Sequence, residues 1–438
     1  MMDRVLIRPP RRQRRVRSLL LLLLVACLSL YIPRTFAASI PKTTVDTVDA
    51  NPSALRAHLL ADMGVPAWHT KGWRGQGVKV AVLDSGFRGY KTHLGEALPE
   101  HVTAHSFRID GNLEAKDSQH GILCGEVVHA IAPEAELLFV NWETEQPEQF
   151  IEAVRWARRQ GARIITCSLI MPTWSDGEGG GAVHKALAEA LGKGDKPEDV
   201  LFFACAGNTA QRHWGGSFHD GGDGRHEWAP GRTDNLIRPW EGEKPSVELC
   251  WRPGAVYELS VQDLTTEREA GRCEAKIGDG HCCAAVKFDP EAGHTYAARV
   301  RLVGGTPGSF HLTVLGGGLE ETTVHGSVPF PADGREVMAV GAEDREGRRQ
   351  EYSSCGPNGP SLKPDFAAVV PFPSLWRTRP FSGTSAAAPQ AAGLAALLRS
   401  AHSDWPAERS RDALLGAAHR PDAPNLTGEV GRGDLHLP

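Results

Sequence analysis

Ser385 stands at the mouth of an alanine-rich run, in FSGTSAAAPQAAGLAALL over residues 381–398. Gly383 and Thr384 make a small-residue entry, and the composition beyond Ser385 favours helix. A hydroxyl there lies at the positive end of the helix dipole, beside backbone N–H groups with no partner inside the helix. Such a place suits the making of a tetrahedral oxyanion. In VKVAVLDSG (78–86) an apolar run ends in Asp84, with Gly86 allowing a sharp turn. In DSQHGILCGEVVHAIAPE (117–134), His120 and Gly121 open a segment with Leu123, Val127, Ala130 and Ile131 at helical spacing. VLFFACAGN (200–208) is a buried-type strand running into Gly207 and Asn208. A serine hydroxyl is a poor nucleophile until a base takes its proton, the role read for His120. Asp84 would hold the imidazole in one tautomer and stabilise the imidazolium that forms. The Ser385 N–H and the Asn208 amide would bind the developing oxyanion. The chemistry is acyl transfer.

The chain order Asp84, His120, Ser385 is the subtilisin order among the unrelated arrangements that build this geometry. The chain resembles the subtilisin-like serine proteases, the subtilases. The four motifs occur in that family's order and local contexts over most of residues 75–435. Supporting matches are GARIITCSL (161–169), AVGAEDREG (339–347), YSSCGPNGPSLKPDFAA (352–368) and the ending GRGDLHLP. The resemblance implies a serine endopeptidase acting on protein or peptide substrates, with Asp84, His120 and Ser385 catalytic and Asn208 in the oxyanion hole. It places Ser168, Leu169 and Gly207 along the substrate, with Ser168–Leu169 pairing main chain to main chain beside an extended peptide. Ile170 and Met171 depart from the small glycines that usually follow, and their bulk would narrow a pocket or shift the peptide. Ala386 replaces a frequent methionine, and AAVVPF replaces the Ala-Pro-Gly usual after the KPD stretch. Roughly 35 residues separate Ala37 from the catalytic region, too few for the folded pro-domain that many subtilases carry.

These groups need elements to position them, and the pattern alternates strand and helix. Strands are expected at 78–83, 136–141, 163–168, 200–205 and 336–341, and helices at 121–131, 147–160, 181–192, 385–399 and 406–418. The fold class is therefore α/β: a subtilisin-like parallel sheet with helices on both faces. Asp84 and Asn208 fall just past the C-terminal ends of strands, where such sheets place their sites. Between Asn208 and Ser385 lie 176 residues, more than this architecture needs. Four period-two runs, at Val247–Trp251, Tyr257–Val261, Tyr296–Leu302 and Phe310–Val314, read as an inserted antiparallel β-sandwich. Such an insert either braces the fold or offers an exosite. The expected organisation is a leader at 1–37, a short extension at 38–70, a catalytic part at 71–235, the sandwich at 236–325 and a second catalytic part at 326–438.

Residues 1–37 hold eight arginines and one aspartate, followed within that segment by LLLLLLVACLSLYI. This is the layout of a secretory signal peptide, short for a membrane span, and it implies a secreted or extracytoplasmic protein. Kept uncleaved, residues 18–32 would anchor it. Without the leader the chain carries 40 basic and 52 acidic side chains, a net charge of −12, which disfavours nucleic acid as a partner. A monomer is expected. Export permits disulfides. Cys124, Cys167 and Cys205 read as small buried apolar residues, whereas Cys250, Cys273, Cys282 and Cys283 cluster closely enough for one or two bridges of undetermined pairing. Cys355 reads as a free thiol in a turn. No metal ligand set is assigned, and the sequence names no definite cofactor beyond the option of a structural calcium ion. FHDGGDGRHEW (218–228) offers Asp220, Asp223 and Glu227 for a structural calcium ion but lacks a full ligand spacing, so a polar loop is expected. His129 and the loose set His213, His219 and His226 lack tight ligand spacing, and Asp117 fits the orienting role less well than Asp84. Asn425–Thr427 matches a glycosylation triplet. The alternative from another class is a non-catalytic secreted binding or adhesion protein on the same scaffold. An esterase or peptide ligase would share the first half-reaction.

Overall fold

Val80 and Val82 face one side of β1 (Lys79–Leu83), Ala81 and Leu83 face the other, and all four are buried. A strand covered on both faces belongs inside a parallel sheet. The structure, a computed structural model, describes residues 51–418 and 428–437, with Asp117 described by its backbone alone. The leader, the Asn425–Thr427 triplet and residues 38–50 lie outside the described residues.

The central sheet has seven parallel strands. They are β1, β2 (Val102–Ser106), β3 (Glu136–Asn141), β4 (Ile164–Cys167), β5 (Leu201–Cys205), β16 (Met338–Glu343) and β17 (Phe366–Val369). Their spatial order is β17-β16-β5-β4-β1-β3-β2. Helices α3 (His120–Ile131) and α6 (Thr384–Ala401) pack into one face, and α4 (Pro147–Arg159) and α5 (Ala182–Leu191) into the other. A further helix, α7 (Ala407–Ala417), follows α6. The five expected strands and five expected helices are present, with ends within about two residues, the usual scatter of element boundaries. The edge strands β2 and β17 are additions. β2 reads VTAHS with alternating partial exposure, and β17, although largely buried, is only FAAV, too short to stand out as a strand. Two helices, α1 (Pro52–Asp62) and α2 (Val65–Thr70), begin the described chain and pack on the α3 and α6 side through Leu59, Val65 and Trp68.

The antiparallel strands run from His213 to Leu319. One sheet has the order β10 (Arg268–Glu274), β9 (Ala255–Asp263), β13 (Tyr296–Gly305), β7 (Asn235–Pro239), β15 (Gly317–Leu319), and the other β11 (Lys276–Ile277), β12 (Cys282–Lys287), β8 (Ser246–Trp251), β14 (Ser309–Leu315), β6 (His213–Ser217). The four patterned runs are β8 (Ser246–Trp251), β9 (Ala255–Asp263), β13 (Tyr296–Gly305) and β14 (Ser309–Leu315). Their inward residues, among them Leu249, Tyr257, Val300 and Phe310, share one core. β6 (His213–Ser217), β7 (Asn235–Pro239), β10 (Arg268–Glu274), β11 (Lys276–Ile277), β12 (Cys282–Lys287) and β15 (Gly317–Leu319) complete the sheets. HWGGS and REAGRCE show why these escaped the sequence pattern: glycine and charge interrupt the alternation.

One expectation about this region needs correcting. No disulfide joins the cysteine cluster, and all eight described cysteines are free thiols. Cys250 lies opposite Cys283 across β8 and β12, while Cys282 points to the sandwich core and Cys273 belongs to the other sheet. Successive strand residues face opposite sides, so neighbours in sequence are separated in space. Among the described residues no helix is long and apolar enough to cross a membrane.

Candidate active site

Asp84 follows β1 directly and is fully buried. Its Oδ1 accepts the Ser85 N–H at 2.8 Å, and its Oδ2 lies 2.7 Å from His120 Nδ1 at the start of α3. Against a carboxylate, which only accepts when ionised, Nδ1 carries the proton and Nε2 is left with its lone pair. Burial pulls the His120 pKa down, but the Asp84 charge and hydrogen bond outweigh it and hold the imidazole above its ordinary value, with Arg377 opposing. The Phe381 ring meets the imidazole edge-on at 5.4 Å. Gly86 serves a close approach: a Cβ there would stand 2.3 Å from the Ala115 carbonyl oxygen.

Ser385 is the second residue of α6. The amides beside it are satisfied, Thr384 N–H by Asn208 Oδ1 and Ala386 N–H by the Gly383 carbonyl, both at 3.0 Å. The Ser385 N–H has no intrahelical acceptor by its position in the first turn. Its hydroxyl makes a long 3.5 Å contact with the Ser168 carbonyl oxygen, just past β4. Cys124, one turn along α3, joins the two halves of the site. Its Sγ lies 3.7 Å from Asp84 Oδ2 and 3.9 Å from the Ser385 carbonyl.

Asn208 is aimed by Thr384. Its Oδ1 accepts both the Thr384 N–H and the Thr384 hydroxyl at 3.0 Å, which leaves the Nδ2 donors to point away. Gly383 makes room for them. Its φ is +84°, and a Cβ there would come within 2.9 Å of Asn208 Nδ2. The Asn208 carbonyl is held from the other side by Arg212, whose Nε and Nη2 donate to it at 3.0 and 2.8 Å. Arg212 lies under the half-exposed Trp240 ring, 4.6 Å from its centre, and burial lowers its pKa to about 10. Sequence reasoning missed Arg212, because nothing in the local pattern of AGNTAQRHW ties it to Asn208.

The predicted substrate-side residues fall as follows. Ser168 is buried, and its hydroxyl donates to the Ser385 carbonyl at 3.0 Å. Leu169 is half-buried against the face covered by α4 and α5. Gly207 has both main-chain groups engaged, its N–H with Thr384 Oγ1 at 3.2 Å and its carbonyl with the Ser354 N–H at 2.8 Å. Met171 packs into the core with Trp174 and Phe330, while Ile170 remains half-buried. The extra bulk of Met171 is thus absorbed by the protein interior.

Asp84 Oδ2, His120 Nδ1 and Cys124 Sγ lie within 4.8 Å of one another. Burial, with the Asp84 charge second, pushes the Cys124 thiol well above its ordinary range. A protonated thiol is a poor metal ligand. In the 218–228 loop Asp220 Oδ1 accepts the Gly222 and Gly224 N–H groups at 2.9 Å, and Glu227 Oε1 accepts the Gly231 N–H at 2.6 Å. Of the three loosely clustered histidines, His226 packs among Trp214, Trp228 and Phe310. His213 instead meets His311 at 3.0 Å. Half-buried His129 has no hydrogen-bond partner for its buried Nδ1 among the described residues, and burial lowers its pKa.

The model of the subtilase family matches residues 75–238 and 317–433. The chain belongs to the subtilase family. The stretch between those segments, residues 239–316, falls within the antiparallel strands. The chain is 31% identical over 157 residues to subtilisin Savinase of Lederbergia lenta, covering 33% of this chain and 52% of that one. It is 31% identical over the same length to an alkaline protease of Alkalihalobacillus alcalophilus, covering 33% and 37%. This subtilase thus spans about half or less of the curated relatives it matches. The solved structure of the Clostridium perfringens CspB protease aligns over 87% of this chain and 97% of its own, with a TM-score of 0.62 and 16% identity. That likeness concerns the fold.

Proposed function

We propose that this subtilase is a secreted serine endopeptidase working through an acyl-enzyme. The observation that carries the reading is the 2.7 Å contact between His120 Nδ1 and buried Asp84, which Cys124 Sγ joins to the carbonyl of Ser385 at the mouth of α6. His120 Nε2 takes the Ser385 proton as Oγ attacks a peptide carbonyl, and Asp84 stabilises the imidazolium. The Ser385 N–H and Asn208 Nδ2 receive the oxyanion. His120 then protonates the leaving amine, and water, deprotonated by the same imidazole, hydrolyses the acyl-enzyme.

Ser168 and Leu169 flank the acyl side of an extended peptide, and Gly207, buried under Pro329 and Ser354, backs the same side. The substrates are proteins or peptides, the working form is a monomer, and residues 1–37 direct export. In the same reading the sandwich at 236–325 divides the catalytic part. No cofactor takes part in the chemistry, and a structural calcium ion at 218–228 would show as a chelator-sensitive melting temperature.

The test treats the full chain and a Ser385→Ala variant with a fluorophosphonate, then maps the adduct by mass spectrometry. Labelling at Ser385, lost in the variant, is expected. A folded protein left unlabelled would mean a silent scaffold.

A further inference from the structure

Phe372 and Phe381 exchange main-chain hydrogen bonds, at 2.7 Å and 2.8 Å, and so close residues 373–380 into a loop just before Ser385. The base of that loop is clamped to α3. Buried Glu126, six residues past His120 on the same helix, accepts the Ser374 hydroxyl at 2.8 Å and the Leu375 N–H at 2.7 Å. Arg56 pairs with Glu126 and donates to the Pro373 carbonyl from Nε at 3.0 Å. Trp376 rests on His93 with ring centres 4.3 Å apart. The element is tied down at both ends and along one side, so its tip is a platform.

That tip carries Arg377 and Arg379. Arg377 folds back, its Nε donating to the Arg379 carbonyl at 2.6 Å and its Nη2 to the Pro380 carbonyl at 3.1 Å, one residue from the Phe381 ring that meets His120. Among the described residues neither arginine meets a carboxylate, and the nearby Glu126 is already paired with Arg56. Burial, and then Arg379, pull Arg377 below its ordinary pKa, as expected for two cations sharing one place. Such a pair is conspicuous on a chain whose net charge beyond residue 37 is −12.

Chemistry assigns a side to the loop. Ser168 and Asn208 flank Ser385 from β4 and β5, where the acyl half would lie. The leaving amine departs beside the imidazole that protonates it, and Phe381 and the arginine tip adjoin that imidazole. We propose that Arg377, with Arg379, forms a carboxylate subsite on the leaving-group side, so that preferred substrates carry a carboxylate shortly after the scissile bond. The carboxylate is either an Asp or Glu side chain or the free end of the peptide. Guanidinium groups match both through charge-assisted hydrogen bonds. The inference rests on the acyl-transfer reading above and supplies its substrate class.

The test uses quenched peptides identical before the scissile bond and bearing Asp, Asn or Lys after it, each as free acid and as C-terminal amide. For the full chain, kcat/KM for the carboxylate peptides should exceed that for neutral ones by about tenfold, and the ratio should shrink as salt rises. In the Arg377→Gln/Arg379→Gln variant the ratio should collapse toward one, and Arg377→Lys should keep part of it. A preference that follows the Asp side chain identifies one source, and a preference that follows the free terminus identifies the other. Equal cleavage of all four Asp and Asn peptides, free acid and amide alike, or a preference surviving in the double variant, would overturn the proposal while leaving the protease reading intact. If no peptide is cut and fluorophosphonate leaves Ser385 unlabelled, anisotropy with the same peptides decides. Carboxylate-dependent binding lost in the double variant would keep the subsite and sink the protease reading, whereas indifferent binding would sink both.

Discussion

The Ser168 hydroxyl donates to the carbonyl oxygen of Ser385 at 3.0 Å. That carbonyl is free to accept because its helical partner would be the N–H of residue 389, which is proline. Pro389 thus opens a gap in the α6 ladder one turn after the candidate nucleophile, and the residue after β4 fills it. The nucleophile is fixed from two elements that meet only in the folded chain.

Ser168→Ala should therefore leave the Ser385 carbonyl with only the long 3.9 Å contact from the Cys124 thiol, and so loosen Ser385. The expected loss is about 1 kcal/mol, or about fivefold in kcat with little change in KM. In a Pro389→Ala background the restored N–H takes over the carbonyl, so the same Ser168→Ala change should cost less. A double-mutant cycle on kcat measures that coupling, and strict additivity would refute it.

Asn208→Leu should lower kcat by about 10²–10³, the usual consequence of losing one oxyanion donor. Thr384→Val and Arg212→Met leave the amide in place but release its two anchors. Each should reduce kcat by about tenfold or less, a fraction of that donor's worth, with KM nearly constant. Trp240→Ala should act in the same direction as Arg212→Met and more weakly. Since Trp240 follows β7, an effect there would show that the sandwich steadies Asn208, and no effect would leave Arg212 acting alone.

Catalysis needs neutral His120, and Asp84 holds its pKa above 6.5. The acid limb of kcat/KM should accordingly have its midpoint above pH 6.5. Arg377 pulls the other way, so Arg377→Gln should move that midpoint to higher pH. A pH profile of fluorophosphonate labelling, which needs no peptide, checks the direction. A shift toward acid would contradict the assigned electrostatics.

His184 is buried between two carboxylates, with Nε2 2.9 Å from Asp333 and Nδ1 2.6 Å from Glu336. Burial lowers its pKa, but the Asp333 charge and these hydrogen bonds outweigh it and raise the value to about 10. A raised folded-state pKa gives stability that is fully present below pH 6.5 and lost as pH climbs through about 10. Denaturant unfolding should show that decline across the window, and His184→Gln should be flatter there. Below pH 6.5 the variant should be less stable by on the order of a few kcal/mol, because it leaves Asp333 buried without its cation.

Local sequence alone determined the chemical nature of the four candidate groups. Hydroxyl, imidazole, carboxylate and amide follow from Ser385, His120, Asp84 and Asn208, and their places follow from periodicity: buried runs such as VAVL and LFFAC make strands whose ends carry the next polar residue. The alternation of Val247, Leu249 and Trp251 likewise made the sandwich legible, because period two survives wherever one strand face is buried. Residues without a local pattern stayed hidden until the chain closed. Arg212 gains its place from the Asn208 carbonyl on one side and Trp240 on the other. Glu126 lies on a helix face that sequence reads as apolar, and only Arg56, 70 residues earlier, and Ser374, 248 residues later, make its burial tolerable. Nothing in the local sequence LWRTRPF (375–381) marks out the arginines at 377 and 379. Their place beside His120 was decided by the Phe372–Phe381 closure and the Glu126 clamp, contacts between segments far apart in the chain that no window of sequence contains.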